Sequence, residues 1–153
     1  MILVLHNIRS AHNVGSMFRT ADAAGVKRII LSGYTPGPTD PRGVPRRDFI
    51  KVSLGAEHFI PWDRSSTLAT ALKKLKKEGY TIVAVEQTKT SINLFDYKPK
   101  NKKLAVVMGN EVRGINTQNL KYCDAAVEIP MQGKKESLNV AVACGIALFT
   151  LLR

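Results

Sequence analysis

The chain has 153 residues, 44% of them apolar and 23% charged, a balance that suits one globular domain with a real core and excludes a disordered chain. Lysine and arginine number 23 against 12 acids, a formal charge of +11, so a polyanionic partner is expected, with RNA or DNA favoured over a membrane because no long basic amphipathic helix is visible. Residues 140–152 are too short an apolar stretch to span a bilayer, the apolar start is too short and too early for a secretory signal, and Cys123 and Cys144 lack metal-ligand spacing; the expectation is a cytoplasmic protein with no structural metal.

Residues 2–5 read as a buried strand. A helix follows, with Val14, Met17, Phe18, Ala21 and Ala24 at helical spacing, Ser10 or Asn13 as its cap and Gly25 as its stop. Residues 28–31 form a second strand. Residues 33–45, dense in proline and glycine, form a long loop. The pattern then gives a short helix over 46–52 and a short strand over 59–62. Ser65 or Ser66 caps an amphipathic helix that ends before Gly79, with Leu68, Leu72 and Leu75 inward and Lys73, Lys74, Lys76 and Lys77 outward. Residues 81–85, 104–108 and 126–129 are three further strands. Apolar runs without alternation imply strands buried on both faces, hence a parallel sheet covered by helices on both sides. No internal repeat or linker interrupts the chain, so residues 1–153 read as a single domain. The last helix, about 137–152, is apolar almost all round, which implies that a partner covers it.

Polar residues cluster at three seams between strand-like and helix-like runs: NIRSAHNVGSMFRTAD at 7–22, GNEVRG at 109–114 and IPMQGKKESLNVAVA at 129–143. In α/β proteins ligands bind at such seams, beyond the carboxyl ends of the strands, so the three suggest one site built from distant segments. The P-loop, dinucleotide-binding and nucleophile-elbow motifs are absent. His6, His12 and His58 lack metal spacing and read as ordinary surface or boundary residues. Taken singly, the seam residues have plain uses too. Gly109 fits a turn, Ile129, Met131 and Leu138 a core, Arg19 a solvated helix face, Glu111 a helix dipole, and Ser137 and Asn139 an N-cap. Arg42, Arg46 and Arg47 in the long loop and Lys98, Lys100, Lys102 and Lys103 in a basic run are solvated or phosphate-binding.

Three segments resemble, in order, the motifs of the TrmH (SpoU) family of SPOUT-superfamily RNA methyltransferases: NVGSMFR at 13–19, MGNEVRG at 108–114, and IPM at 129–131 with SLNVAVA at 137–143. The likeness runs from Asn7 to the C-terminus without a large insertion, and no N-terminal RNA-binding domain is added. It implies a parallel α/β sheet with a deep C-terminal trefoil knot, S-adenosyl-L-methionine bound in the knot, and a homodimer formed through the C-terminal and first helices. It implies methyl transfer to a ribose 2′-hydroxyl of RNA, tRNA ahead of rRNA. Cofactor contacts would come from Gly109, Ile129, Met131 and Leu138, with Val85 as a weaker candidate. Arg19 would meet the target phosphate and hydroxyl, either as the base or as an electrostatic stabiliser, surrounded by Asn13, Glu111, Ser137 and Asn139. Arg9 would hold a phosphate beside it. A non-catalytic RNA-binding module and a base methyltransferase are the competing functions; intact Arg19, Glu111 and Asn139 argue against the first, and the arginine of the first motif against the second.

Overall fold

The computed structural model describes residues 1–152. In chain order the elements are β1 (Ile2–His6), α1 (Ala11–Ala23), β2 (Arg28–Ser32), α2 (Arg47–Ser53), α3 (Ala56–Phe59), β3 (Trp62–Ser65), α4 (Leu68–Lys77), β4 (Thr81–Val85), β5 (Ile92–Asn93), β6 (Leu104–Met108), α5 (Thr117–Leu120), β7 (Ala125–Glu128) and α6 (Val140–Leu151). The seven strands form one sheet in the order β3-β2-β1-β6-β4-β7-β5, and every pairing is parallel. All carboxyl ends therefore open onto one edge. β6 is inserted between β1 and β4, with Leu5 and Val85 both in register with Met108.

The unbroken apolar runs have a direct cause. All five residues of β1 and all five of β6 are buried. Leu3 and Leu5 point into the layer filled by α1 and α6, where Phe18, Cys144 and Leu148 are fully buried. Ile2 and Val4 point the other way, onto Leu72 and Leu75 of α4. Phe18 meets Phe49 and Trp62 edge-on, with ring centroids 5.1 and 6.3 Å apart.

The N-terminus of α1 is settled by Ser10, whose Oγ accepts the Asn13 amide at 3.2 Å, and its stop is at Gly25 as expected. Other boundaries move. The cap of α4 is Thr67 rather than Ser65 or Ser66; its hydroxyl accepts the Thr70 amide, while Ser65 belongs to β3. The strand expected over 59–62 starts at Trp62 and ends at Ser65, because Ala56–Phe59 close a helical turn before it. The last helix begins at Val140 rather than at Ser137, with Asn139 as its N-cap. One side of it is buried in the fold, while the apolar Val142, Phe149 and Leu152 are exposed.

Replacing Phe18 by Ala should cost about 3–5 kcal/mol of stability, the range for emptying a fully buried aromatic site. Urea unfolding followed through Trp62, the single tryptophan and a neighbour of Phe18, would show a lower midpoint; an unchanged midpoint would contradict this packing.

Candidate active site

Beyond the carboxyl ends of β4, β6 and β7 lies a cavity of about 300 Å³. Val85, Glu86 and Gln87 come from β4, Met108 to Glu111 from β6, Glu128, Ile129 and Met131 from β7, and Ser137 and Leu138 from the approach to α6. Strand pairing brings the three floors together; side chains hold the loops above them. Glu86 Oε2 accepts the Ile115 amide at 2.7 Å, and the Gln87 side chain donates to the Glu136 carbonyl at 2.8 Å. The lining carries Glu86, Glu111, Glu128 and Glu136 but neither lysine nor arginine, although the chain as a whole is strongly basic.

Glu111 joins this cavity to the start of α1. Its carboxylate accepts the Arg9 amide at 3.1 Å, the Ser10 amide at 3.4 Å and the Asn13 side-chain amide at 3.5 Å. Asn13 Oδ1 in turn accepts from Asn139 Nδ2 at 3.2 Å. The first, second and third motifs thus meet in one hydrogen-bonded chain, Glu111–Asn13–Asn139. Burial pushes the Glu111 carboxyl up, but the backbone amides of Glu111, Arg9 and Ser10 and the Asn13 side chain outweigh it, so the group sits below its ordinary value.

Asn110 does comparable work at the neighbouring position. It is buried; its side-chain NH₂ donates to the Asn7 carbonyl at 2.8 Å and to the Tyr34 hydroxyl at 3.0 Å, while its Oδ1 accepts the Val112 and Arg113 amides. Asn7 holds a left-handed backbone (φ 54°) and accepts the Tyr34 amide through Oδ1. Below it, His6 Nδ1 lies 2.8 Å from Ser32 Oγ and Nε2 lies 3.1 Å from Asn7 Nδ2. His6 is therefore a buried network residue, not the surface or boundary residue its lone occurrence suggests, and burial holds its pKa down; His12 and His58 are exposed.

A family model for the SpoU rRNA methylase family matches residues 1–149. The chain belongs to this family. Among its relatives, the 23S rRNA (guanosine-2′-O-)-methyltransferase RlmB of Pseudomonas aeruginosa is 37% identical over 155 residues, covering 100% of this chain and 58% of that protein. The AdoMet-bound rRNA methyltransferase from Sinorhizobium meliloti superposes with a TM-score of 0.85 at 30% identity, covering 97% of this chain and 54% of that one. The A. aeolicus TrmH/SpoU tRNA modifying enzyme superposes with a TM-score of 0.84 at 26% identity, covering 99% and 73%. The chain spans a little under three fifths of the length of the curated relatives named RlmB that it matches.

All five residues expected at the cofactor, Val85, Gly109, Ile129, Met131 and Leu138, line the cavity, as do Glu111 and Ser137. Asn13 and Asn139 line an adjoining shallow groove. Arg19 is not among them. Six residues beyond Asn13, about 9 Å along the helix axis, it is exposed in a separate groove with Lys51 and Phe149. Besides lining the cavity, Gly109 has a packing cause: a Cβ there would lie 2.6 Å from the Ile115 side chain and 2.8 Å from the Gly114 carbonyl carbon, so the glycine makes room for the chain's own loop. Gly15 does the same between helices, where a Cβ would sit 2.4 Å from the Phe49 carbonyl oxygen.

The expected basic contacts divide. Arg9 follows β1 at the cavity's edge, its amide bonded to Glu111. Arg42 and Arg46 lie in the segment between β2 and α2, and Arg47 opens α2; Arg42 is held by Asp40 at 3.1 Å. Lys102 and Lys103 lead into the amino end of β6, away from the cavity, and Lys103 Nζ donates to the Glu78 carbonyl; Lys98 and Lys100 sit in the same crossing segment. Glu86, Asn110 and the exposed Arg113, Lys134 and Lys135 escaped the sequence reading. The G-N-E string contained a signal for Asn110, since a small polar residue ending a buried strand must satisfy its amide somewhere. Among the described residues no cluster suits a metal ion, and no helix is long and apolar enough to cross a membrane. Burial pushes both thiols up to about 12, so neither Cys123 nor Cys144 is a thiolate at neutral pH.

Two outcomes test this geometry. Because the folded Glu111 pKa lies below the ordinary 4.5, its contribution is complete above that pH and is lost as pH falls through the lower folded value. Glu111→Gln should lower stability at neutral pH and flatten its loss on acidification below the ordinary 4.5; parallel acid curves would overturn the assignment. Gly109→Ala should destabilise by about 1–3 kcal/mol through overpacking against the 114–115 backbone, seen as a lower urea midpoint.

Proposed function

We propose that this chain transfers a methyl group from S-adenosyl-L-methionine to a ribose 2′-hydroxyl of RNA. The observation that carries the proposal is the cavity at the ends of β4, β6 and β7, sharing Glu111 with the Glu111–Asn13–Asn139 chain. Its residues fit the cofactor. Val85, Ile129, Met131 and Leu138 offer an apolar slot for a flat base, and an all-acidic set of charged side chains in a basic protein suits a ligand that carries a sulfonium and an ammonium. When bound, S-adenosylmethionine supplies an electrophilic methyl group.

The chain's own residues would do the rest by position and charge. Glu111 fixes the start of α1, Asn13 bridges to Asn139, and Ser137 lines the cavity while Asn139 lines the neighbouring groove. Arg19 would orient the hydroxyl and stabilise the alkoxide that develops; a guanidinium has donors and no acceptor, so it is a better stabiliser than proton acceptor. Arg19 lies beside Phe149 on the surface of α1 and α6, where exposed Phe149 and Val142 call for a second copy. We therefore propose a homodimer through these helices, with Arg19 completing the site only in that assembly. The held loops after β4, β6 and β7 are the segments that a C-terminal trefoil knot would thread. We propose the described residues as one domain working in the cytoplasm without a metal.

The RNA class follows the relatives only so far. RlmB is an rRNA enzyme by name and the A. aeolicus protein a tRNA-modifying one, so ribosomal RNA stands ahead of the transfer RNA that the motifs alone favoured. Mass spectrometry of ribose-methylated nucleosides from rRNA and tRNA of a deletion strain decides between them.

Calorimetry should show binding of S-adenosylmethionine without added metal, and no binding to folded protein would sink the proposal. Arg19→Ala should bind the cofactor normally and lose single-turnover methyl transfer by roughly a hundredfold or more; near-native transfer would remove Arg19 from the site. Phe149→Asp should shift the molecular mass seen by light scattering from dimer to monomer or give insoluble protein, whereas a native monomer would refute the assembly.

A further inference from the structure

Tyr34 is used back to front. An exposed tyrosine ordinarily buries its ring and leaves its hydroxyl in water. Here the hydroxyl is turned inward, 3.0 Å from the side-chain amide of buried Asn110, and the residue is 60% exposed. The position is also rigid. The Tyr34 amide donates to Asn7 Oδ1 at 3.2 Å, and the next residue, fully buried Thr35, bonds through its hydroxyl to the carbonyls of Leu5 and Ser32 and accepts the Ile8 amide. No aromatic or cationic side chain among the described residues stacks on the ring. A fixed aromatic face is thus presented to solvent at the cavity rim.

Its surroundings point to one class of partner. Asn110 lines the cavity and also holds the amides of Val112 and Arg113; Val112 is 77% exposed and Arg113 is exposed. Arg9, also exposed, is tied to the same rim through Glu111. An aromatic face flanked by cations is the arrangement that binds single-stranded nucleic acid, the ring stacking on a base and the cations meeting phosphates. A base inside a duplex is stacked on both sides and presents no free face.

We propose that Tyr34 stacks on an unpaired base of the RNA substrate at the mouth of the cavity, so that the enzyme selects a nucleotide in a loop or single-stranded segment rather than in a duplex. The proposal rests on the methyltransferase function proposed above. Asn110 meets the ring at its hydroxyl end, but the stack is made by the ring face itself; cofactor cavity and base platform therefore lie side by side at one side chain. Tyr34 is a positioning residue: it touches a base, not the reacting hydroxyl.

The test uses the full chain with S-adenosylhomocysteine present and single-stranded 12-nucleotide RNAs carrying 2-aminopurine, alone or annealed to their complements. Native protein should quench the fluorescence of the single strand and not of the duplex. Tyr34→Leu should abolish the quench and weaken single-strand binding about fivefold to a hundredfold, the span of one base–aromatic stack, with calorimetric affinity for S-adenosylhomocysteine unchanged. Tyr34→Phe and Tyr34→Trp should keep the quench. In methyl transfer to total RNA, Tyr34→Leu should raise KM more than it lowers kcat. Equal binding by Tyr34→Leu and the native protein overturns the proposal. So does a Tyr34→Phe defect as large as that of Tyr34→Leu, which would mean that the hydroxyl acts through Asn110. Native protein that transfers methyl to RNA yet gives no quench removes the stack alone; native protein that binds the cofactor but methylates no RNA removes the function beneath it.

Discussion

The carboxylate of Glu111 holds the site together. It closes onto the Arg9 and Ser10 amides just ahead of α1, from a loop more than a hundred residues away, and it can do so because β6 lies beside β1 in the sheet. The bonds place a negative charge beside a helix N-terminus, whose dipole favours an anion. Without it the start of α1 would keep Ser10 as its local cap, but Asn13 would lose its link to the loop of β6. Asn13 is the only bridge among the described hydrogen bonds between that loop and Asn139. A single surface carboxylate therefore sets how three chain segments meet.

Beside it, Asn110 and Glu86 each satisfy backbone groups that the loop itself cannot pair. Glu86 reaches the Ile115 amide, and Asn110 takes two amides of its own turn while donating across to Asn7. The close approach at Gly109 is what these bonds enforce. Polar side chains here act as braces, and the cavity is the space they leave.

The sheet was legible because its strands are buried on both faces: runs such as ILVLH and LAVVM carry no alternation, and only a parallel sheet between helices explains that. Cap positions were not, because Ser65, Ser66 and Thr67 are chemically equivalent in a string, and the choice depends on where β3 ends. β5, with two residues, and α5, with four, are too short to show a period. That Val85, Gly109, Ile129, Met131 and Leu138 share one cavity could be anticipated from the family motifs and not from hydropathy, since Ile129 and Leu138 look like core in any window. Arg19 shows the limit on the other side. Motif and helix spacing say that it belongs to the site, yet one chain places it in a different groove, a separation no linear pattern encodes. A lysine run is similarly silent about position: composition does not say that Lys102 and Lys103 lead into the amino end of β6, at the edge of the sheet opposite the cavity.

The position of β6 also dictates an order of events during synthesis. β1 and β4 are made first, yet neither pairs with the other; the slot between them stays open until residues 104–108 leave the ribosome. Through that interval two apolar strand edges have unpaired backbone groups, the kind of surface that recruits other chains. Pairing across about a hundred residues is slow to form because the loop must close before any bond repays it. The nascent chain is therefore most vulnerable just before its sixth strand arrives, and chaperone dependence should fall sharply once that strand is out.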